Sequence, residues 1–494
     1  MRAGVSLLVL PEGPESSQRI NRSVRFSASD HLPPSIRQRS FLEPEGLPPG
    51  RALDLIGEPS VMASAGGQTL WARGTHGNAL VHQACVPLPD LGESFPCTEY
   101  NGRRFMGLLP LIRFLQEISI RARSWSASPP SACFIFDDPS LRQLRYGHLD
   151  FNQLLGVCRK HRFHAAVATI PLDSQRTSSA VSALFRSNPD WLSILIHGNN
   201  HTARELAQSR SSADWELRMA QALRRVNCLE SKHQISPCKV MEPPHGVVCS
   251  ELAPVLNRLG FEGLLVTPHQ FLRVPGNDRI QPSLGLNPAG CFNHGLALIP
   301  RIVLSSTAET ESALALAAGL PAVIAGHHQD AADGLERIAR LADFINASAD
   351  VTWCNPSRIA RRLYWTEGSS TGRHVTLGSS QTELNAMDES HGATLTVVRP
   401  WIARGGEEAL RVSHEGKVIW ENLHAGREAT FELTQRGLLQ VQSMVRLAHD
   451  PVGMPDPPFE PWPVIRKAIM ELRDRSQYWA RVFPWSARNG SSPD

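Results

Sequence analysis

The sequence predicts an α/β protein built around a parallel sheet, flanked by an N-terminal α+β region and a small C-terminal antiparallel β module. Two observations carry that expectation. Between Ala132 and Ala325, short apolar runs of β type alternate with amphipathic stretches at helical spacing, the pattern of repeated strand–helix–strand units joined by right-handed crossovers. After Trp353 the helical spacing stops, and short alternating runs separated by glycine-containing turns take over, which reads as an antiparallel module.

The 494 residues, 41% hydrophobic and 20% charged, are enough for two or three domains with proper cores. A net charge of +3 is too small to imply a nucleic-acid or membrane surface. No apolar run approaches the ~18 residues needed to span a bilayer. The early run Ser6–Leu10 is cut by Pro11 and Glu12, too soon for a secretory signal. Nine scattered cysteines without a Cys-x-x-Cys pair read as reduced thiols in a cytoplasmic protein.

Taken in order, residues 1–49 are rich in Ser, Arg, Pro and Glu and are expected to form an irregular arm. Residues 50–130 form an α+β region: β pieces from Ala52 to Leu91, a buried helix over Met106–Ile118, and a linker at Ser124–Ser131. Residues 131–365 hold the strand–helix array. Its strands are expected at Ala132–Phe136, His164–Ile170, Leu192–Ile196, Val240–Met241, Gly263–Val266, Leu296–Leu304 and Ala322–Ala325. Helical spacing falls at Phe151–Lys160, Ala213–Val226, Ala253–Leu259, Glu309–Ala318 and Leu335–Ile345. Periodicity allows a closed barrel or an open doubly wound sheet, though no Gly-rich phosphate loop supports a dinucleotide fold. The β module is expected over 390–447. A helix over Val464–Trp479 and a fraying tail at Asn489–Asp494 complete residues 460–494.

Chemistry gathers at the strand ends. The run Cys133–Pro139 closes on Asp137 and Asp138. Adjacent acids are poor strand residues and repel each other, but the C-terminal end of such a strand is where α/β proteins place their sites. One acid is expected to bind a metal and the other to handle a proton; an acidic turn capping a helix near Leu144 is the structural alternative. His197 and His201, four apart after the third strand, can face one cation, and a carboxylate would complete three ligands with an open position. Alternatively they are a polar strand end and a helix cap. The loop Glu242-Pro243-Pro244-His245-Gly246 is rigid and exposes backbone groups. His327 and His328 end the last strand, where an imidazole could protonate a leaving group near neutral pH.

This set, in this order, resembles the NodB-homology polysaccharide deacetylases, carbohydrate esterase family 4, over roughly Ala132 to Arg362. The family's Thr-Phe-Asp-Asp-Gly is similar to Ile135–Pro139, its His-Ser/Thr-x-x-His to His197–His201, and its Arg-x-Pro-aromatic-Gly to Glu242–Gly246; a late Leu-x-His matches loosely around His327. The resemblance implies a distorted (β/α)7 barrel and a divalent metal, Zn²⁺, held by Asp138, His197 and His201. Asp137 would be the base acting on water at the metal, whose pKa a bound Zn²⁺ lowers from ~15.7 to ~7. The oxyanion would be met by the metal and a backbone N–H of the Pro244-His245-Gly246 loop. His327, or failing it His328, would protonate the leaving amine. The implied substrate is an N- or O-acetylated carbohydrate or other acetylated small molecule.

Three departures mark a diverged, deacetylase-like member. Glu242 stands where the family has arginine, and would repel Asp137 rather than orient it. His245 replaces an aromatic residue and could serve as an extra ligand or acid, and Ile135 replaces a small hydroxyl residue. Two further readings stay open. One is a glycoside hydrolase pairing Asp137 with a second carboxylate; the other is a metal-holding barrel that acts in binding or regulation.

Overall fold

Seven apolar segments pair in parallel around one axis: β1 (Ser131–Asp137), β2 (Ala165–Thr169), β3 (Leu192–His197), β4 (Cys238–Glu242), β5 (Gly263–Val266), β6 (Ala297–Pro300 with Ile302–Val303) and β7 (Ala322–His327). The structure is a computed structural model. It describes residues 6–11, 23–47, 53, 56, 59–89, 100, 104–122, 126–127, 129–271, 273–274, 277, 295–348, 350–369, 372–386, 392–403, 405–444 and 451–482. The expected fraying at Asn489–Asp494 lies outside these.

The choice between barrel and open sheet is settled by β6. Its first half pairs with β5 and its second half with β7, so the two ends of the strand order are halves of one segment, and the sheet closes on itself. Arg301 is the junction. Its N–H donates to Val266 O at 2.8 Å, and three residues on, the Leu304 N–H donates to Ala325 O at 2.8 Å. Every residue of β1 is buried, as expected of a parallel strand covered on both faces. Register brings Asp137 level with His327 and His197 level with Glu242, so four chemical residues share one rim.

The predicted helices form between the strands, at Phe151–His161, Ser212–His233, Leu252–Arg258, Ala308–Ala317 and Glu336–Asn346. Asp150 and Ser211 cap the first two through backbone N–H groups. An eight-residue helix, Ser179–Arg186, was not foreseen; two turns are too short for an apolar period to emerge.

Residues 1–49 correct the expectation of an irregular arm. Leu7–Val9, Ser23–Phe26 and Ser40–Leu42 join a six-stranded sheet with Ser60–Ala65, Gln68–His76 and Ala79–Ala84. Their alternation is only three or four residues long, as in Ser23–Phe26 where Val24 and Phe26 alone are buried, and the polar residues between them hid it. The helix Leu109–Ala122 packs this sheet onto the barrel: Gln116 Nε2 and Tyr100 Oη donate to Ala318 O and Leu314 O at 3.2 and 2.8 Å. One continuous apolar core runs through both layers, from Val24 and Trp71 to Phe134 and Ile324.

The β module is a two-sheet sandwich with its own core, including Val375, Leu395, Leu410 and Val441. It starts earlier than 390, at Tyr364–Ser369, and that sheet recruits Ser126–Ala127 from the expected linker. Most of its pairings are antiparallel, but Gly372–Leu377 and Thr394–Val398 run parallel. Beyond it the helix Pro461–Val482 returns to the barrel rim. No described helix is long and apolar enough to cross a membrane.

Candidate metal centre

The acids that end β1 are set by a sharp backbone turn. Asp138 has φ 78°, a left-handed conformation that Asp tolerates better than most residues, and Pro139 follows. A straight strand would send the two side chains to opposite faces; the turn instead gives each a different set of partners at one rim. His201, Arg204 and His245 also have positive φ, at 56°, 50° and 61°. Half of the eight described non-glycine residues in this region therefore gather here, and such strain concentrates at functional sites.

Asp138 Oδ1 lies 2.9 Å from His201 Nε2 and 3.3 Å from His197 Nε2, yet it is buried with no hydrogen-bond partner among the described residues. One ligand atom from each of the three residues lies within 4.8 Å of the others. An orphaned carboxylate oxygen facing two imidazole nitrogens fits a divalent cation. His197 Nδ1 sits 2.9 Å from Glu242 O, so donation to that carbonyl leaves Nε2 free as a ligand. Burial opposes ionisation of Asp138, but the two imidazoles outweigh it and hold the carboxyl well below the usual range. For His197 burial acts downward, and Asp138, Asp137 and Glu242 overcome it, raising its pKa to about 9. The pocket attracts positive charge.

The loop that carries the histidines is fixed from behind. Glu205, buried, accepts from the N–H groups of Asn200 and His201, both at 2.8 Å, and of Asn199 at 3.3 Å. A Cβ on Gly198 would come within 2.7 Å of Glu205 Oε2 and Pro244 Cγ, so only glycine lets this loop meet the Glu242–Gly246 loop.

A buried arginine reaches Glu242 from β6. Arg301 Nη1 donates to Asp137 Oδ2 at 2.8 Å and also to Glu242 Oε1, and all three side chains are buried. Glu242 therefore does not leave Asp137 facing an unopposed negative charge, as the sequence suggested, because one guanidinium bridges both. Burial, with Asp137 adding to it, still pushes Glu242 up to about 8. Asp137, His197 and Glu242 also have metal-like spacing, but Arg301 already holds two of them. Sequence reading missed Arg301 because a lone arginine inside an apolar run carries no signal of its partners.

His327 and His328 separate. His327 is exposed, and its N–H donates to Asp330 Oδ2 at 2.8 Å. His328 is buried: its ring lies edge-on to Tyr146 at 5.2 Å and stacks on His148 at 5.8 Å, with Asp474 Oδ2 at 3.5 Å from Nε2. Tyr146 Oη donates to the same Asp474 oxygen at 2.8 Å. Burial works against ionisation of Asp474, but His328, Tyr146 and Arg473 lower it to about 2. His245 stands at the edge, its ring 5.3 Å from that of His201. Partial loss of water, then His201 and Arg466, lower its pKa. Its N–H has no acceptor among the described residues.

The helix Pro461–Val482 crosses this rim. Arg466 Nη1 donates to His201 O and lies 3.1 Å from His201 Nδ1. Lys467 pairs with buried Asp173 at 2.9 Å, and Glu471 with Arg142 at 2.6 Å. The polar side of this helix is thus turned inward.

No family model and no curated protein matches the sequence. Solved structures do. A Mycobacterium smegmatis protein assigned to the polysaccharide deacetylases is 15% identical, with 48% of this chain and 91% of that one covered at a TM-score of 0.34. The likeness is to polysaccharide deacetylases. A family 4 carbohydrate esterase from Streptomyces lividans, in complex with acetate, is 15% identical over 46% of this chain and 93% of its own, at 0.27. A family 4 pseudoenzyme from Bacillus anthracis is 10% identical over 48% and 67%, at 0.30.

Proposed function

We propose that this chain is a metal-dependent hydrolase that removes an acetyl group from a carbohydrate or related small molecule. The observation that carries the reading is Asp138 Oδ1, buried between two imidazole nitrogens without a hydrogen bond and beside a second carboxylate clamped by arginine. Asp138, His197 and His201 would hold the cation, and zinc suits two imidazoles, one carboxylate and an open position. Bound there, it would supply Lewis acidity and bring the pKa of water towards ~7. Asp137 is the base: Arg301 fixes Oδ2, and Oδ1, which has no partner among the described residues, can take the proton. The His245 N–H, presented by its left-handed turn, is the donor for the developing oxyanion. His328, held among Tyr146, His148 and Asp474, replaces His327 as the donor to the leaving group. A glycoside hydrolase would need two carboxylates free to act separately, whereas Asp137 and Glu242 share one guanidinium.

Metal analysis of the purified protein, beside Asp138→Ala and Asp137→Asn, tests the reading. Asp138→Ala should lose the bound divalent ion. Asp137→Asn should keep it while turnover of N- and O-acetyl sugars falls by roughly 10²–10⁴-fold. Unchanged metal stoichiometry in Asp138→Ala would remove the site. A metal-loaded wild type that hydrolyses none of a broad acetyl panel would leave a binding barrel instead.

A further inference from the structure

Next to the metal centre lies a cavity of about 540 Å³, walled by Arg204, Arg273, Gln270 and His245, with four small apolar side chains between them. Its charge is one-sided. Among the described residues no carboxylate lines it, and neither the Arg204 nor the Arg273 side chain has an ion-pair or hydrogen-bond partner there. The other arginines around the rim differ. Arg301, Arg225, Arg210 and Arg466 are all bonded to protein groups. Arg204 is also placed by strained backbone, at φ 50° three residues after His201 at φ 56°, a cost that a plain surface arginine does not need. Gln270 Oε1 is buried without a donor among the described residues, so a ligand hydroxyl or amide would be welcome there. His245 joins the cavity to the metal centre, its ring 5.3 Å from that of His201.

We propose that this cavity binds an anionic substituent of the substrate, a carboxylate or a phosphate held between Arg204 and Arg273, while the acyl group lies at the metal centre. The chain then acts on acidic acylated sugars in preference to neutral ones. Guanidinium groups are suited to this task because their planar donors match two oxygens of a carboxylate or phosphate at once. The inference rests on the hydrolase reading for its substrate, but the cavity's charge preference is measurable without turnover.

The test is calorimetric binding to the full-length Asp137→Asn protein loaded with zinc. Three ligands are compared: N-acetylglucosamine, its 6-phosphate, and N-acetylmuramic acid, which carries a carboxylate. One or both acidic sugars should bind about ten-fold more tightly than the neutral one at low salt. The preferred one identifies the anion. Raising the salt should shrink the difference, and Arg204→Gln with Arg273→Gln should abolish it while leaving the neutral sugar unchanged. Both side chains are exposed, and an unaltered melting temperature of the double variant checks its fold. Equal binding of all three sugars, or a preference that survives the double variant, overturns the proposal. Failure of the hydrolase reading looks different: wild type would turn over none of the three sugars while the charge preference persisted. Turnover of the neutral sugar without any anion preference would leave the hydrolase and remove the subsite.

Discussion

Arg301 decides how the site holds together. Two buried carboxylates, Asp137 and Glu242, meet one guanidinium, so removing it leaves uncompensated charge in the interior. Arg301→Met should therefore cost roughly 3–5 kcal/mol of stability, read by urea unfolding. Glu242→Arg alone should be similarly damaging, and combined with Arg301→Glu should recover most of the loss, because the exchange preserves the bridge. A double variant no better than the sum of the singles would show that the three groups do not act as a unit. The same groups set a pH dependence for metal-free protein. The folded pKa values of His197, about 9, and Glu242, about 8, lie above their ordinary values. Folded protein then retains protons that the unfolded chain has released, so stability falls as pH rises, from about 4.5 to about 8 through Glu242 and from about 6.5 to about 9 through His197. Asp138 works in the other direction, its contribution being lost only in acid. Melting temperatures should decline across that range, less steeply in Glu242→Gln. A rise would contradict the charge distribution. Residue type and position on strand ends pointed to the Asp137-Asp138 pair, His197 and His201, and the family resemblance is what singled out Asp138 as the ligand. Sequence alone could not point to Glu205, Arg301 or Asp474, whose partners are distant in the chain and whose residue types are common.

The helix Pro461–Val482 is amphipathic in the reverse sense. Arg466, Lys467, Glu471 and Asp474 face the barrel, while Trp462, Ile465, Ile469 and Leu472 are 59%, 51%, 55% and 68% exposed. Its apolar spacing was legible in the sequence, and spacing alone would have buried the wrong face; four polar partners around the rim reverse it. Arg466 has a chemical consequence for the proposed metal site. A guanidinium can only donate, so its contact with His201 Nδ1 leaves the ring proton on Nε2, the nitrogen a cation needs. Arg466→Gln, whose amide can also accept, should bind zinc more tightly than wild type, with a lower dissociation constant in a competition assay against a chelating dye. Unchanged affinity would mean that Arg466 moves aside without cost. The barrel strands, by contrast, were readable to within two residues at their ends, though not the break at Arg301, since buried parallel strands are continuous apolar runs bounded by helices. The strands up to Leu42 were not, because each offers at most two buried residues.

At the scale of the whole molecule, two cores divide the chain unevenly. The N-terminal sheet and the barrel share one, and the C-terminal sandwich has its own. Calorimetry should resolve two transitions, the N-terminal sheet melting with the barrel and the sandwich apart. A substitution such as Leu395→Ala should move only the sandwich transition, by about 2–5 kcal/mol; a single shared transition would show that contacts between the two bodies govern stability. The returning helix also has a meaning in time. It is made about 130 residues after the strand ending at His327, and at ~5–20 residues per second a ribosome needs on the order of ten seconds to cover that stretch. For that interval the nascent barrel can exist with its rim uncovered and His201 free of Arg466. If Asp138, His197 and His201 hold a cation as proposed, that interval is the one in which it can reach His201 Nε2 before Arg466 arrives.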